Sequence, residues 1–216
     1  MARIIAGFTG FIYRFLENFS NSMDMHSLKK LSDSSFILGE KILVNFPFFI
    51  GYYTRFYKEM VENEIQMTNI TSKDNILHIG CGPIPATSIL ISEKTGAKVV
   101  AIDKALKSVK KAEYLVKNYF KSDNLEVICA DGLVFPAKDF DVIIVSDGIN
   151  KLDEILSNIS KMIDRDTRII FRKNIYSPDD LNENNFNLAR IFQVKKVCNH
   201  KSYGCLSSVL LLKKDI

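Results

Sequence analysis

Apolar positions fall into two regimes along the chain. Up to about residue 72 they recur at three- and four-residue spacing, the period of a helix with one buried face. Ile4, Ile5, Phe8, Phe11, Ile12, Phe15, Leu16 and Phe19 form the first such stripe. The spacing predicts helices over 3–19, over 33–45 after a cap at Ser32 or Asp33, and over 51–67, with Pro47 separating the last two. Beyond residue 72 short apolar runs predict strands at 75–79, 98–102, 125–129, 141–146 and 167–172. Helical stretches fall between them, at 85–95, 105–120 and 151–163. Such alternation implies a parallel sheet covered on both faces. Residues 188–198 and 203–213 read instead as two strands joined by a turn near Lys201–Gly204. The expected fold is α/β: a Rossmann-like, doubly wound, mostly parallel sheet with a C-terminal antiparallel hairpin. A helical region, 1–71, precedes the sheet-forming domain, 72–216.

Composition narrows what this fold could carry. The chain has 216 residues, 47% hydrophobic and 25% charged, with a net charge of +4. These are values of one ordinary globular domain, with room for a small appendage. The basic residues are scattered, and Lys110–Lys111 and Lys195–Lys196 read as solvated faces, so nucleic acid is not an expected partner. Cys81, Cys129, Cys198 and Cys205 contain no Cys-x-x-Cys pair, and Cys198, His200 and Cys205 match no common zinc spacing. No metal is expected, and the reducing cytoplasm is the expected compartment. Arg14 and Glu17 interrupt the first stripe, which is too short and too polar to span a bilayer. No small-residue cleavage site follows it. It reads as a helix packed on the domain or on a partner subunit, a route to a homo-oligomer, ahead of contact with a membrane surface.

The candidate chemistry lies where the first strand opens into Gly80–Cys81–Gly82–Pro83–Ile84–Pro85. A strand delivering a glycine loop to a helix is the layout of a nucleotide-type site. A pyrophosphate needs free amide N–H groups, and Pro83 and Pro85 have none. A nucleoside without pyrophosphate suits the loop better, and S-adenosylmethionine is the leading candidate. The other strand ends supply further groups. Asp103, about 20 residues on, could accept from ribose hydroxyls or cap a helix. Asp131–Gly132 could reach an adenine amine or form a turn. Ser146 and Asp147 would lie near the sulfonium, whose positive charge a carboxylate suits. His78, inside the first strand, reads as a satisfied core histidine.

Gly80–Cys81–Gly82–Pro83–Ile84–Pro85–Ala86–Thr87–Ser88 resembles the Gly-x-Gly-Pro-Leu-Pro-Leu-Thr-Ser loop of the nicotianamine synthase family, within the class I S-adenosylmethionine-dependent methyltransferase fold. Ile169–Ile170–Phe171–Arg172 is similar to that family's apolar strand ending in Arg. Gly51–Tyr52–Tyr53–Thr54–Arg55–Phe56 resembles its Pro-Tyr-Tyr-x-Asn-Tyr segment, which an essential Glu follows. Here Gly51, Arg55 and Phe56 depart from the pattern, and Asn63 occupies the Glu position with Glu62 and Glu64 on either side. The resemblance implies transfer of a 3-amino-3-carboxypropyl group to a small amine or amino acid. Glu62 or Glu64 would then be the proton acceptor, Tyr53 or Tyr52 an orienting group, and Arg172 the holder of a substrate carboxylate. Methyl transfer to a small-molecule acceptor is the alternative on the same fold. A non-catalytic partner protein and a nicotinamide oxidoreductase are more distant readings.

Overall fold

A computed structural model of the chain describes residues 50–147, 149, 151–174, 188–200 and 206–214. All of them belong to one compact unit, 46–216. The expected helices at 3–19 and 33–45, the turn at Lys201–Gly204 and Cys205 lie outside the described residues.

The elements run α1 (Ile50–Thr68), β1 (Asn75–Ile79), α2 (Ala86–Thr95), β2 (Lys98–Asp103), α3 (Leu106–Leu115), β3 (Leu125–Cys129) and β4 (Val142–Val145). Then follow α4 (Leu152–Ser160), β5 (Arg168–Asn174), α5 (Leu188–Ile191), β6 (Phe192–Asn199) and β7 (Leu206–Lys213). The strands form one sheet in the order β3-β2-β1-β4-β5-β7-β6. β1 to β5 are parallel, and β7 pairs antiparallel with both β5 and β6. The hydrophobic pattern therefore predicts the architecture correctly, hairpin included.

Most boundaries shift by one to three residues, and two differences change the kind of element. The strand expected from residue 188 begins only at Phe192, because Leu188–Ile191 form a single helical turn. Lys214 closes that turn, its amide donating to the Ile191 carbonyl and its Nζ to that of Ala189. The helix expected at 105–120 narrows to α3 and then widens into a π turn over Val116–Phe120, ended by Lys121 at φ 48°.

Strand alternation places even-numbered residues of β1 and β4 on one face and odd-numbered ones on the other. Ile76, Val142, Ile144, Ile170 and Leu210 pack under α1, α2 and α3 with Val61, Ile89, Ile91 and Val109. Leu77, Ile79, Ile143, Val145 and Ile169 pack under α4 with Ile155, Leu156 and Ile159. On the first face the apolar columns turn polar toward the carboxyl ends of the parallel strands. His78 follows Ile76, Ser146 follows Ile144, Arg172 follows Ile170, and Ser208 precedes Leu210 on the antiparallel strand. A polar layer thus lies inside the protein, beneath helix α1.

α1 runs antiparallel to the parallel strands. Arg168, at the start of β5, donates to the Thr68 carbonyl at 2.6 Å and pairs with Asp74. Arg172, one helical turn earlier along α1 and near the end of β5, pairs with Glu64. The amino-terminal turns of α1 therefore rise toward the sheet edge where the glycine loop lies, Thr54 standing roughly 15 Å along the helix from Glu64.

Close packing at the strand ends is testable. A Cβ on Gly132 would stand 2.5 Å from Ile79 Cγ2, a branch of a buried strand residue. Gly132→Ala should destabilise the fold by about 1–3 kcal/mol through overpacking, measured by denaturant unfolding.

Candidate functional site

The glycine loop sits at the point where strand order reverses, between β1 and β4, with the sheet growing outward on both sides. Ligands of open α/β sheets bind in that crevice. Gly80 and Gly82 have φ of 81° and 66°, a region that side-chain-bearing residues rarely enter. A Cβ on Gly80 would also lie 2.7 Å from Ile149 Cδ1. Glycine at 80 is therefore required both by its backbone conformation and by the Ile149 side chain packed against it.

Its amides are already committed. Gly80 and Cys81 both donate to the Ile102 carbonyl, and Gly82 donates to Asp103 Oδ2 at 3.0 Å. Pro83 adds no donor. Four successive residues thus offer nothing to a pyrophosphate. Asp103 Oδ1 accepts from the Ala105 amide at 2.8 Å. The carboxylate braces the loop and the start of α3 together, and each oxygen retains further lone-pair capacity. Asp131 Oδ1 accepts from the Leu133 amide at 2.9 Å, a turn-forming contact, and Gly132 packs directly on Ile79. Asp103 thus makes a turn onto Ala105, the residue that caps α3, and Asp131 makes a turn onto Leu133.

Behind the loop lies the polar layer. His78 is buried, its Nδ1 2.7 Å from Ser88 Oγ and its Nε2 2.8 Å from Ser146 Oγ. Burial, then the Arg172 charge, pushes this imidazole down from 6.5 to about 3. It is neutral at physiological pH and links α2, β1 and the end of β4. Arg172 is 5% exposed and Glu64 wholly buried. The guanidinium grips the carboxylate through Nε and Nη2, each at 2.8 Å, and Nη2 also donates to Thr87 Oγ1 at 2.9 Å. Ser208 Oγ donates to Glu64 Oε1 at 2.5 Å, and His200 Nε2 lies 2.8 Å from Ser208 Oγ. Asn63 Nδ2 stands 3.4 Å from His200 Nδ1.

The residues nominated from sequence separate accordingly. Gly80, Cys81, Gly82, Pro83, Asp103, Asp131, Gly132, Ser146 and Asp147 share the strand-end crevice. Glu64 and Arg172 meet as one buried pair. Glu62 points elsewhere: it is 41% exposed and bound to Lys94 at 2.7 Å, which holds its carboxyl below the usual value. The side chains of Tyr52 and Tyr53 lie outside the described ones. Thr87, Ser88, His200, Ser208 and Asn63 were not singled out from sequence as partners in a shared cluster. The available signal was Ser207–Ser208 and Thr87–Ser88 standing in otherwise apolar, buried segments, where a hydroxyl needs a partner. Among the described residues no group of three His, Cys, Asp or Glu side chains could hold a metal ion. Nor is any described helix long and apolar enough to cross a membrane.

Similarity to known proteins agrees with the fold. A methyltransferase domain profile matches residues 77–171, from β1 through most of β5. The backbone superposes on a Glu-to-Gln mutant of the nicotianamine synthase MtNAS solved with S-adenosylmethionine, at TM-score 0.65 and 24% identity, over 76% of this chain and 64% of that one. The fold is that of the class I S-adenosylmethionine-dependent methyltransferases. MtNAS in complex with MTA and tNA gives TM-score 0.65 at 25% identity, covering 76% of this chain and 62% of that one. The glycopeptide N-methyltransferase MtfA with S-adenosylhomocysteine gives 0.61 at 11%, over 73% and 90% of the two chains. This chain thus spans less than two thirds of the length of those two MtNAS chains. No curated protein matches it in sequence.

Two outcomes follow from the polar layer. The folded His78 stays neutral while the unfolded chain takes up a proton below pH 6.5, so stability present above that pH declines toward pH 3. His78→Gln should flatten the decline by up to about 1.4 kcal/mol per pH unit, read from denaturant unfolding between pH 6.5 and roughly 5. Glu64→Gln or Arg172→Met leaves the other partner buried without its counter-charge, and should cost about 3–5 kcal/mol. Glu62→Gln, on the surface, should leave the same unfolding curve unchanged.

Proposed function

We propose that the protein is an S-adenosylmethionine-dependent transferase acting on a small molecule, and that it transfers the 3-amino-3-carboxypropyl group to an amine. The observation that carries the reading is the loop at the switch point: glycines at positive φ, amides consumed by Ile102 and Asp103, and prolines where a pyrophosphate would need donors. Such a loop accommodates a nucleoside and discriminates against a dinucleotide. Structures of the same fold hold S-adenosylmethionine, S-adenosylhomocysteine or MTA, which fits that ligand class.

In this reading the free lone pairs of Asp103 face the ribose, and the Asp131–Leu133 turn flanks the adenine. Ser146 and Asp147 stand nearest the sulfonium, whose three attached carbons are all activated toward displacement. An amine attacking the carbon of the carboxypropyl arm displaces sulfur with its bonding pair, leaving methylthioadenosine, and the new ammonium loses a proton. The chain's contribution is to decide which carbon faces the nucleophile in line. Orientation of that kind is worth about 7–11 kcal/mol. The match of Gly80–Ser88 and Arg172 to the nicotianamine synthase pattern favours the longer group. Methyl transfer is the second reading, favoured by the profile match to a methyltransferase domain.

One assay separates them. Incubated with S-adenosylmethionine and a panel of amines and amino acids, the protein should release methylthioadenosine. S-adenosylhomocysteine as the sulfur product would establish methyl transfer instead. Asp103→Ala should weaken S-adenosylmethionine binding at least roughly tenfold by calorimetry, since it removes both the loop brace and the ribose acceptor. A wild-type protein without affinity for S-adenosylmethionine overturns the whole reading.

A further inference from the structure

The protons in the buried cluster can be placed by elimination. Glu64, gripped by the Arg172 guanidinium, only accepts. The single proton of Ser208 therefore goes to Glu64 Oε1. Ser208 Oγ must then accept at its other contact, so His200 Nε2 carries a proton. Burial, the largest influence, lowers the affinity of His200 for a second proton, as does Arg172, while Glu64 and Glu59 oppose the shift. Nδ1 is thus a lone pair, and it faces the Asn63 amide nitrogen. Donation runs one way: Asn63 to His200, His200 to Ser208, Ser208 to Glu64.

Asn63 and Glu64 are neighbours on α1. The hydrogen bonds leave the helix at one residue, cross the segment after β6 and strand β7, and return at the next. From Glu64 the contact continues through Arg172 to Thr87, at the start of the helix behind the glycine loop. We propose that this ring sets the axial register of α1 against the ligand loop, with His200 as a positioning residue in its Nε2–H form. It thereby fixes how far the amino-terminal turns of α1 rise beyond the carboxyl ends of the parallel strands. The functional meaning rests on the crevice being the S-adenosylmethionine site, whereas the ring itself does not. A slip of one residue moves a helix about 1.5 Å and turns it about 100°, taking Glu64 from both guanidinium nitrogens. Misplacement near 1 Å can cost about 100-fold in rate. Glu64 is then the anchor of α1, its carboxylate held by Arg172 and Ser208.

The test is spectroscopic and uses the full chain. Of the three histidines, His26, His78 and His200, the third is assigned by its loss in His200→Gln. Long-range proton–nitrogen spectra should show His200 with Nε2 protonated and Nδ1 bare at neutral pH. Ser208→Ala removes one link and keeps the ion pair. It should abolish the single-tautomer signature and raise amide exchange in the Glu64 turn of α1 roughly tenfold. His200→Gln, which retains a donor toward Ser208, should raise exchange less than Ser208→Ala does. An Nδ1–H or doubly protonated His200 in the wild type, or unchanged exchange in Ser208→Ala, overturns the proposal. The wild-type spectrum needs no variant, so it decides even if Ser208→Ala fails to fold. Calorimetry with S-adenosylmethionine on the same samples reports separately on the crevice: absence of binding there sinks the proposed function while the spectra judge the ring.

Discussion

A wholly buried carboxylate must find an opposite charge, and in this protein Glu64 finds it in Arg172. Desolvating two such ions costs several kcal/mol each, and the attraction offsets that only when geometry is good and the remaining hydrogen-bonding directions are filled. Both conditions hold. The guanidinium donates through two nitrogens, Ser208 fills a further acceptor position on the carboxylate, and Thr87 takes a further guanidinium proton. A pair of this kind contributes little net stability compared with apolar residues of the same shape. Its physical consequence is uniqueness. Apolar packing between α1 and the sheet would tolerate sliding, whereas a two-point charge contact tolerates one register.

That constraint also explains why the sheet face changes character partway along. Ile76, Ile144, Ile170 and Leu210 make a dry layer, and one step nearer the ligand edge the same columns carry His78, Ser146, Arg172 and Ser208. The dry layer supplies the burial that holds α1 and α2 in place. The polar layer above it supplies direction, because each hydrogen bond has a definite angle and partner. His78 belongs to the same layer: neutral, buried and satisfied by two hydroxyls, it links α2 to the end of β4. Position at the crevice is thus inherited from the middle of the sheet.

The hydrophobic period made the architecture legible because strand alternation and helical spacing are local. β1, β2 and β3 end within a residue of where the apolar runs end. The hairpin start was less legible, since Leu188–Ile191 has the same apolar content in a helical turn as in a strand, and only Lys214, far along the chain, caps it. The glycine loop and Asp103 were visible for a related reason: loop and acid are neighbours across one β–α–β unit, with spacing set by that unit. The cluster was not, because Glu64 is 108 residues from Arg172 and 144 from Ser208. Nothing local distinguishes Glu62 from Glu64, yet two residues on a helix are about 200° apart, and one faces solvent while the other faces the sheet.

The same separation bears on how the loop selects its ligand. In a dinucleotide site the amides following the strand are left for a pyrophosphate. Here Gly80 and Cys81 spend theirs on Ile102, and Gly82 spends its own on Asp103. An acid that serves only a ribose could be placed on any side chain reaching the crevice. Asp103 closes the glycine loop itself, and displacing it would free the Gly82 amide and relax the turn. The carboxylate is therefore the point at which β2 communicates with β1. The protein carries two charge anchors of this kind, Asp103 at the end of β2 and Glu64 on α1, one holding the glycine loop and the other joined through Arg172 to Thr87 just after it.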